Sequence, residues 1–233
     1  MSSRREERRI ETMAKRSIVV PGSVVVEKGY SGDNTVKTER GIVSTRLGVS
    51  TSYGRKVSVI PRSGPYRPRK GDFVLGVVVG YKRNGWDVDL GTASKAFLPA
   101  SETGVGRRFD PRRDELSKIL RIGDVISAKI IQASRLRYPL LTMNERSLRK
   151  ITDGVFRKVT VAKIPRIIGK KGSMLKVIKN SGMIQEILVG QNGIIGIIRP
   201  KESFEKVEAA LDLIVEKTYA RGLTEEVAEI LKT

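Results

Sequence analysis

The sequence contains no cysteine and no histidine. The first absence removes thiol nucleophiles, disulfides and thiolate metal sites; the second removes the usual proton shuttle at neutral pH and the commonest zinc ligand. Aromatic residues are scarce, at 5% of 233 residues. No apolar run approaches the ~20 residues needed to span a bilayer, and the opening Met1-Ser2-Ser3-Arg4-Arg5-Glu6-Glu7-Arg8-Arg9 has no apolar signal segment. The expectation is a soluble, cytoplasmic protein away from any membrane, with no cofactor, no metal site and no enzymatic activity. Acid is missing in one place as well. Between Asp153 and Glu186 no carboxylate occurs, whereas Arg157, Lys158, Lys163, Arg166, Lys170, Lys171, Lys176 and Lys179 all do.

What is present is positive charge on a foldable chain. Lys and Arg number 45 against 25 Asp and Glu, a formal net charge of +20, and 39% of residues are hydrophobic. Such a composition builds cores, unlike a disordered tail, and its one-sided charge points to a polyanion partner.

Changes of pattern predict a multidomain, mainly β chain with an α+β part. Residues 1–16 are charged and aperiodic, which predicts a mobile arm. From Ser17, the β-branched runs Ile18-Val19-Val20, Val24-Val25-Val26, Gly41-Ile42-Val43 and Val57-Ser58-Val59-Ile60 alternate with turns such as Pro21-Gly22 and Ser31-Gly32-Asp33-Asn34. An N-terminal β-hairpin domain over 17–66 follows, with its proline-bearing linker from Pro61. Residues 67–147 show five strands: Phe73 to Val79, Trp86 to Leu90, Ala96 to Leu98, Val125 to Ile131 and Leu140 to Met143. Five strands suit a small OB-type barrel. A helix is expected before the fourth, capped by Asp110, started by Pro111 and facing inward through Leu116, Ile119 and Leu120.

In residues 148–222 the order is a strand (Val159 to Ile164), a short helix (Arg166 to Ile168), Gly169-Lys170-Lys171-Gly172, a helix (Met174 to Lys179), a hairpin around Gln191-Asn192-Gly193, and a long helix with Phe204, Val207, Leu211, Ile214 and Val215 on one stripe. A short helix capped by Thr224 is expected in 223–233. Glycines at both ends of the Gly-x-x-Gly let the backbone approach another polymer, and its two lysines suit phosphates. The β-α-α-β-β-α order and this loop resemble a type I KH domain. That likeness implies a single-stranded nucleic-acid clamp at Ile168, Gly169, Lys170, Lys171 and Gly172.

Residues 67–147 resemble an S1-type RNA-binding domain in Gly71-Asp72-Phe73-Val74, Gly85-Trp86-Asp87-Val88-Asp89-Leu90-Gly91, Phe97-Leu98-Pro99-Ala100-Ser101-Glu102 and Gly123-Asp124-Val125-Ile126-Ser127-Ala128-Lys129-Ile130. The domain order, with Val20-Pro21-Gly22 near its start, resembles the RNA-binding cap subunits of archaeal RNA exosomes, of the ribosomal RNA-processing protein four type. The resemblance covers roughly residues 17 to 222. It implies a non-catalytic subunit that recruits single-stranded RNA and threads it toward 3′-to-5′ degradation. The implied partners are nuclease ring subunits and other cap subunits in a trimeric cap. S1 and KH domains also occur in transcription elongation factors and ribosome-associated KH proteins, but the elongation factors normally carry two KH modules and only one fits here.

One departure from the S1 pattern stands out. Stacking aromatics and a histidine are usual where this chain has Asn84, Asp87 and Pro99, and Trp86 alternates with Val88 and Leu90, which puts it in the core. RNA contact is therefore expected from basic loops: Tyr81, Lys82, Arg83 and Lys95 in one set, Arg107, Arg108, Arg112 and Arg113 in another. Asp87 and Asp89 could pair as nuclease-like metal ligands, but no third ligand accompanies them.

Overall fold

The computed structural model describes residues 17–104, 115–134, 137–201, 204–217 and 222–232. The chain divides into two compact units, one up to Gly64 and one from Pro65 onward.

The first unit is all β. Strands β1 (Ile18–Val19), β2 (Val24–Val26), β3 (Tyr30–Ser31), β4 (Thr35–Thr38), β5 (Gly41–Ser44), β6 (Gly48–Tyr53) and β7 (Lys56–Pro61) form two sheets, ordered β1-β6-β7-β3 and β2-β5-β4. Three strands here, β3, β4 and β6, lie outside the expected runs, because polar Thr, Ser and Lys, with Gly, leave no continuous apolar stretch in them. The core is small: Val19, Ile42, Val57 and Val59. Much of the remaining apolar surface faces outward in two ordered rows. Ile18 pairs with Val49, and Val49 with Ile60, so the three share one face across β1, β6 and β7. Ile18 is 65% and Ile60 57% exposed. On the other sheet Val24 and Val36 both pair with Val43, and both are exposed.

The second unit starts with a barrel. Strands β8 (Phe73–Lys82), β9 (Gly85–Asp89), β10 (Ala96–Pro99), β11 (Val125–Gln132) and β12 (Leu140–Thr142) close in the order β8-β9-β10-β12-β11-β8, with β10 and β12 parallel. This is the expected five-stranded OB-type barrel. Its core holds Val74, Val78, Trp86, Val88, Leu90, Leu98, Ile126, Ile130 and Leu141. Trp86 is fully buried, and its indole Nε1–H donates to the Leu120 carbonyl at 3.0 Å, so the core reading of this residue holds. At the barrel's entry the Tyr66 hydroxyl donates to Asp72 Oδ2 at 2.5 Å. Burial and that carboxylate push the Tyr66 phenol well above its ordinary pKa.

The helix expected before β11 is corrected where it can be seen. Asp110 and Pro111 lie outside the described residues, and the described part holds a single 3-10 turn, Leu116–Lys118, entered from an extended Glu115 (φ −93°, ψ 123°). Leu120 still plugs the barrel, with Leu116 and Ile119 packed beside it.

A short strand β13 (Lys150–Ile151) pairs with Val125 and Ile126 of β11, on the edge that β12 takes only from Lys129 onward, and leads into β14 (Gly154–Lys158). Burial alone would raise the Asp124 carboxyl, but Lys150, 2.6 Å away, and the Arg121 backbone N–H outweigh it and hold the group below the usual carboxylate range. After β14 come α1 (Ile164–Ile168), α2 (Ser173–Asn180), β15 (Ile184–Val189), β16 (Ile194–Pro200), α3 (Glu205–Glu216) and α4 (Leu223–Ile230). The sheet order β14-β16-β15 is antiparallel throughout, giving the type I KH arrangement.

Two details differ from expectation. The first strand lies at 154–158 rather than 159–164, because Gly154 to Lys158 pair in register with Ile198 to Ile194, while Val161–Lys163 curl into a 3-10 turn ahead of Pro165. The last helix begins at Leu223 after Gly222, so Thr224 lies inside it and caps nothing. Leu223, Val227 and Leu231 are buried in the same core as Ile167, Ile178, Ile195 and Leu211, which makes α4 part of the KH core.

The sheet's other face meets the barrel. Leu75, Ile151 and Ile198 form a separate buried cluster with Phe73, Val125, Leu188 and Ile194 around it. That explains why the run from Phe73 starts without alternation, since the beginning of β8 is covered on both sides, through Leu75 outward and Val74 inward, whereas Val77 farther along is exposed. A polar pin crosses the same junction. Asn192, 3% exposed in the β15–β16 turn, donates from Nδ2 to the carbonyls of Leu75 at 2.7 Å and Leu90 at 2.9 Å, and its Oδ1 accepts the Leu75 N–H at 3.3 Å.

Candidate nucleic-acid interface

Residues that alternate inward along β9 and β10 leave their neighbours on the barrel's outer face. Phe97 is directly paired with Asp87, between the inward Trp86–Leu98 and Val88–Ala96 pairs. Opposite residues share a face, so ring and carboxylate stand side by side. They line a hollow of about 870 Å³. The tip of the β8–β9 hairpin gives it Lys82, Arg83 and Asn84, and the segment before β12 gives it Arg137 and Tyr138. Tyr138 is 66% exposed, Phe97 half-buried, and Lys82 Nζ lies 3.4 Å from Asp87 Oδ2.

Two rings, three cations and short polar groups around one hollow form a set that can stack bases and hold phosphates. The expectation of a barrel without stacking aromatics is therefore corrected. The positions of Asn84, Asp87 and Pro99 do lack rings, but Phe97 and Tyr138 supply two beside them. The signal for Phe97 was available: in Ala96-Phe97-Leu98 it alternates out of phase with the core. Tyr138, in an irregular loop, offered none.

Among the expected loop residues, Lys82 and Arg83 reach the hollow. Tyr81 is 43% exposed opposite Trp86, and Lys95 is exposed just before β10; neither lines the hollow. Arg107, Arg108, Arg112 and Arg113 lie outside the described residues. Asp87 and Asp89 do not converge as metal ligands. The first faces Lys82, whereas Asp89 Oδ1 accepts the Gly91 N–H at 2.7 Å. Among the described residues no group of three or more potential ligands occurs.

The Gly-x-x-Gly joins α1 to α2 and presents Lys170 and Lys171, both exposed and neither in an ion pair among the described residues, beside half-buried Ile168. The two glycines differ in kind. Gly169 has φ 74° and ψ 171°, a region open essentially to glycine alone, and a Cβ there would lie 2.7 Å from the Met174 nitrogen. Gly172 has φ 77° and ψ 16°, left-handed but with open space around it. Replacing Gly169 with alanine should cost about 2–3 kcal/mol of stability, and Gly172 about 1 kcal/mol. Paired thermal melts check the order, and equal losses would contradict it.

Comparison with known proteins gives the family. No family model matches the sequence. The exosome complex component Rrp4 of Nitrosopumilus maritimus is 36% identical over 219 residues, spanning 93% of this chain and 96% of that protein. This chain belongs to the Rrp4 family. The Rrp4 of Ignisphaera aggregans is 37% identical over 230 residues, 94% of this chain and 90% of that one, and the Rrp4 of Pyrococcus furiosus is 35% identical over 220 residues, 93% and 83%. A crystal structure described as that of a candidate exosome complex RNA-binding protein matches with a TM-score of 0.65 at 33% identity, covering 72% of this chain and 96% of that one. Rrp4 membership agrees with the order of β unit, barrel and KH fold found here, and it decides against the elongation-factor and ribosomal readings. Among the described residues no helix is long and apolar enough to cross a membrane.

Proposed function

We propose that this chain is a non-catalytic, cytoplasmic RNA-binding cap subunit of an exosome, one of three on a nuclease ring, and that it guides single-stranded RNA toward 3′-to-5′ degradation. The carrying observation is the outer barrel hollow, where Phe97 and Tyr138 stand among Lys82, Arg83 and Arg137. The exposed apolar rows of the first unit suit protein docking; the basic loops of the second suit phosphates. Transcription and ribosome roles have no observation in their favour.

RNA affinity tests the reading. Each base stacked on an aromatic ring contributes about 1–3 kcal/mol. The double change Phe97→Ala and Tyr138→Ala should therefore weaken binding of short single-stranded RNA by about a hundredfold in fluorescence anisotropy, with the melting temperature little changed. Unaltered affinity would sink the assignment of the hollow. At the KH loop, Lys170→Asp with Lys171→Asp should weaken binding and flatten the dependence of log affinity on log salt by roughly 1.4, from ~0.7 per lost phosphate contact on single strands. An unchanged slope would make that loop a turn only.

A further inference from the structure

A carboxylate in the middle of a phosphate-binding surface works against affinity, since it repels the polyanion that the surrounding cations attract. Asp87 is such a group. It lines the hollow and is paired side by side with Phe97, and Lys82 is its one partner among the described residues. Among the described residues no side-chain hydrogen bond of the barrel's fold uses its carboxylate, in contrast to Asp89, whose carboxylate fixes the turn at Gly91. Its side chain is 19% exposed and lines the hollow, so a narrow edge of it is open to a ligand.

The neighbouring ring gives that edge a purpose. Cross-strand partners hold their Cβ atoms about 4.5–5.5 Å apart. A base stacked on Phe97 thus brings its polar edge to the Asp87 carboxylate. An ionised carboxylate only accepts hydrogen bonds. Cytosine offers its N4 amino group, adenine its N6 amino group, and guanine the N1–H and N2–H pair. Uracil offers a single N3–H flanked by two carbonyl oxygens, which a carboxylate repels. Lys82, held against Asp87 Oδ2, screens part of the charge and remains available to a phosphate.

We propose that Asp87 is a base-selecting residue, and that the barrel hollow takes single-stranded RNA whose bases carry donor edges, cytosine, adenine and guanine, in preference to uracil. The inference rests on the assignment of the hollow as an RNA site. Selectivity at Asp87 is separable from phosphate binding, because the cations supply affinity without reading sequence.

Oligo(C) and oligo(U) of equal length make the sharpest pair of probes, being pyrimidine strands of similar size that differ at the edge in question. The intact protein should bind oligo(C) about tenfold more tightly than oligo(U), the effect of one charge-assisted hydrogen bond. With Asp87→Asn, whose amide both donates and accepts, the ratio should fall to about twofold or less, chiefly because oligo(U) binds more tightly once the repelling charge has gone while oligo(C) loses its charge-assisted bond. A general electrostatic or structural role for Asp87 would move both affinities together and leave the ratio intact. A parent protein that binds the two strands equally, or a ratio unchanged in Asp87→Asn, overturns the proposal. The Phe97→Ala and Tyr138→Ala protein separates the two levels. If it has lost affinity while Asp87→Asn keeps the ratio, selection alone is wrong. If it binds as the parent does, the hollow is not the site and both ideas fall.

Discussion

Changing Asn192 to aspartate should lower the melting temperature of the unit from Pro65 onward by about 10 °C or more, a loss of about 3–5 kcal/mol. The Asn192 side chain is 3% exposed and makes three hydrogen bonds across the junction between the KH sheet and the barrel. Its Nδ2 reaches the carbonyls of Leu75 and Leu90 near the place where β9 parts from β8. Aspartate has the same shape and no donor. Two buried carbonyls would lose their partner and a carboxylate would be pressed against them, each a penalty with nothing to offset it. Leucine at 192 should cost about 3 kcal/mol for the unsatisfied backbone groups alone. Differential scanning calorimetry checks both, with the first unit as an internal reference expected to melt unaltered. A shift under 2 °C for the aspartate would mean that the apolar cluster of Leu75, Ile151 and Ile198 holds the junction unaided.

The second large effect concerns docking. Ile18→Asp with Ile60→Asp should weaken association with nuclease ring subunits by at least about a hundredfold, because buried apolar anchors dominate interface energies at about 2 kcal/mol or more each. These two side chains flank Val49 in one exposed row. Neither belongs to the small core of Val19, Ile42, Val57 and Val59, so the fold should persist. RNA binding by the isolated protein should also persist, since the hollow and the Gly-x-x-Gly both lie in the other unit. Co-sedimentation with the ring, alongside anisotropy on RNA, reads both. Intact ring association would move the docking surface to the Val24–Val43–Val36 row or elsewhere.

Legibility in the sequence followed the strength of local physical signals. The barrel strands could be found because alternation in Trp86 to Leu90 and the apolar run of β8 are imposed by burial on one face and on two. The hairpin at Gln191-Asn192-Gly193 was visible as turn chemistry, yet its larger role was not: nothing local shows that Asn192 substitutes for a missing strand partner on β8, since its partners lie more than 100 positions away. The run Val159 to Ile164 has strand composition but curls toward Pro165, because the backbone ladder to β16 is already taken by Gly154 to Lys158. Charge pointed to Lys82, Arg83, Lys95, Lys170 and Lys171 alike, because composition cannot say which cations face one hollow, and all five are exposed. Tyr138 was missed because one ring in an aperiodic loop carries no pattern. The acidic last helix looked like a trailing segment, although Leu223, Val227 and Leu231 recur at the four-residue spacing that buries one face.

With Phe97 and Tyr138 as its stacking rings, the barrel should carry RNA on its outer face. Ultraviolet crosslinking of a uniformly labelled single strand to the intact protein, with adducts located by mass spectrometry of the peptides, tests it most directly. Adducts should concentrate at Phe97 and Tyr138, with a second, weaker group around Lys170 and Lys171, and the first group should disappear in Phe97→Ala with Tyr138→Ala. Adducts confined to residues 17–61, or spread evenly over the basic surface and unmoved by that double change, would contradict it.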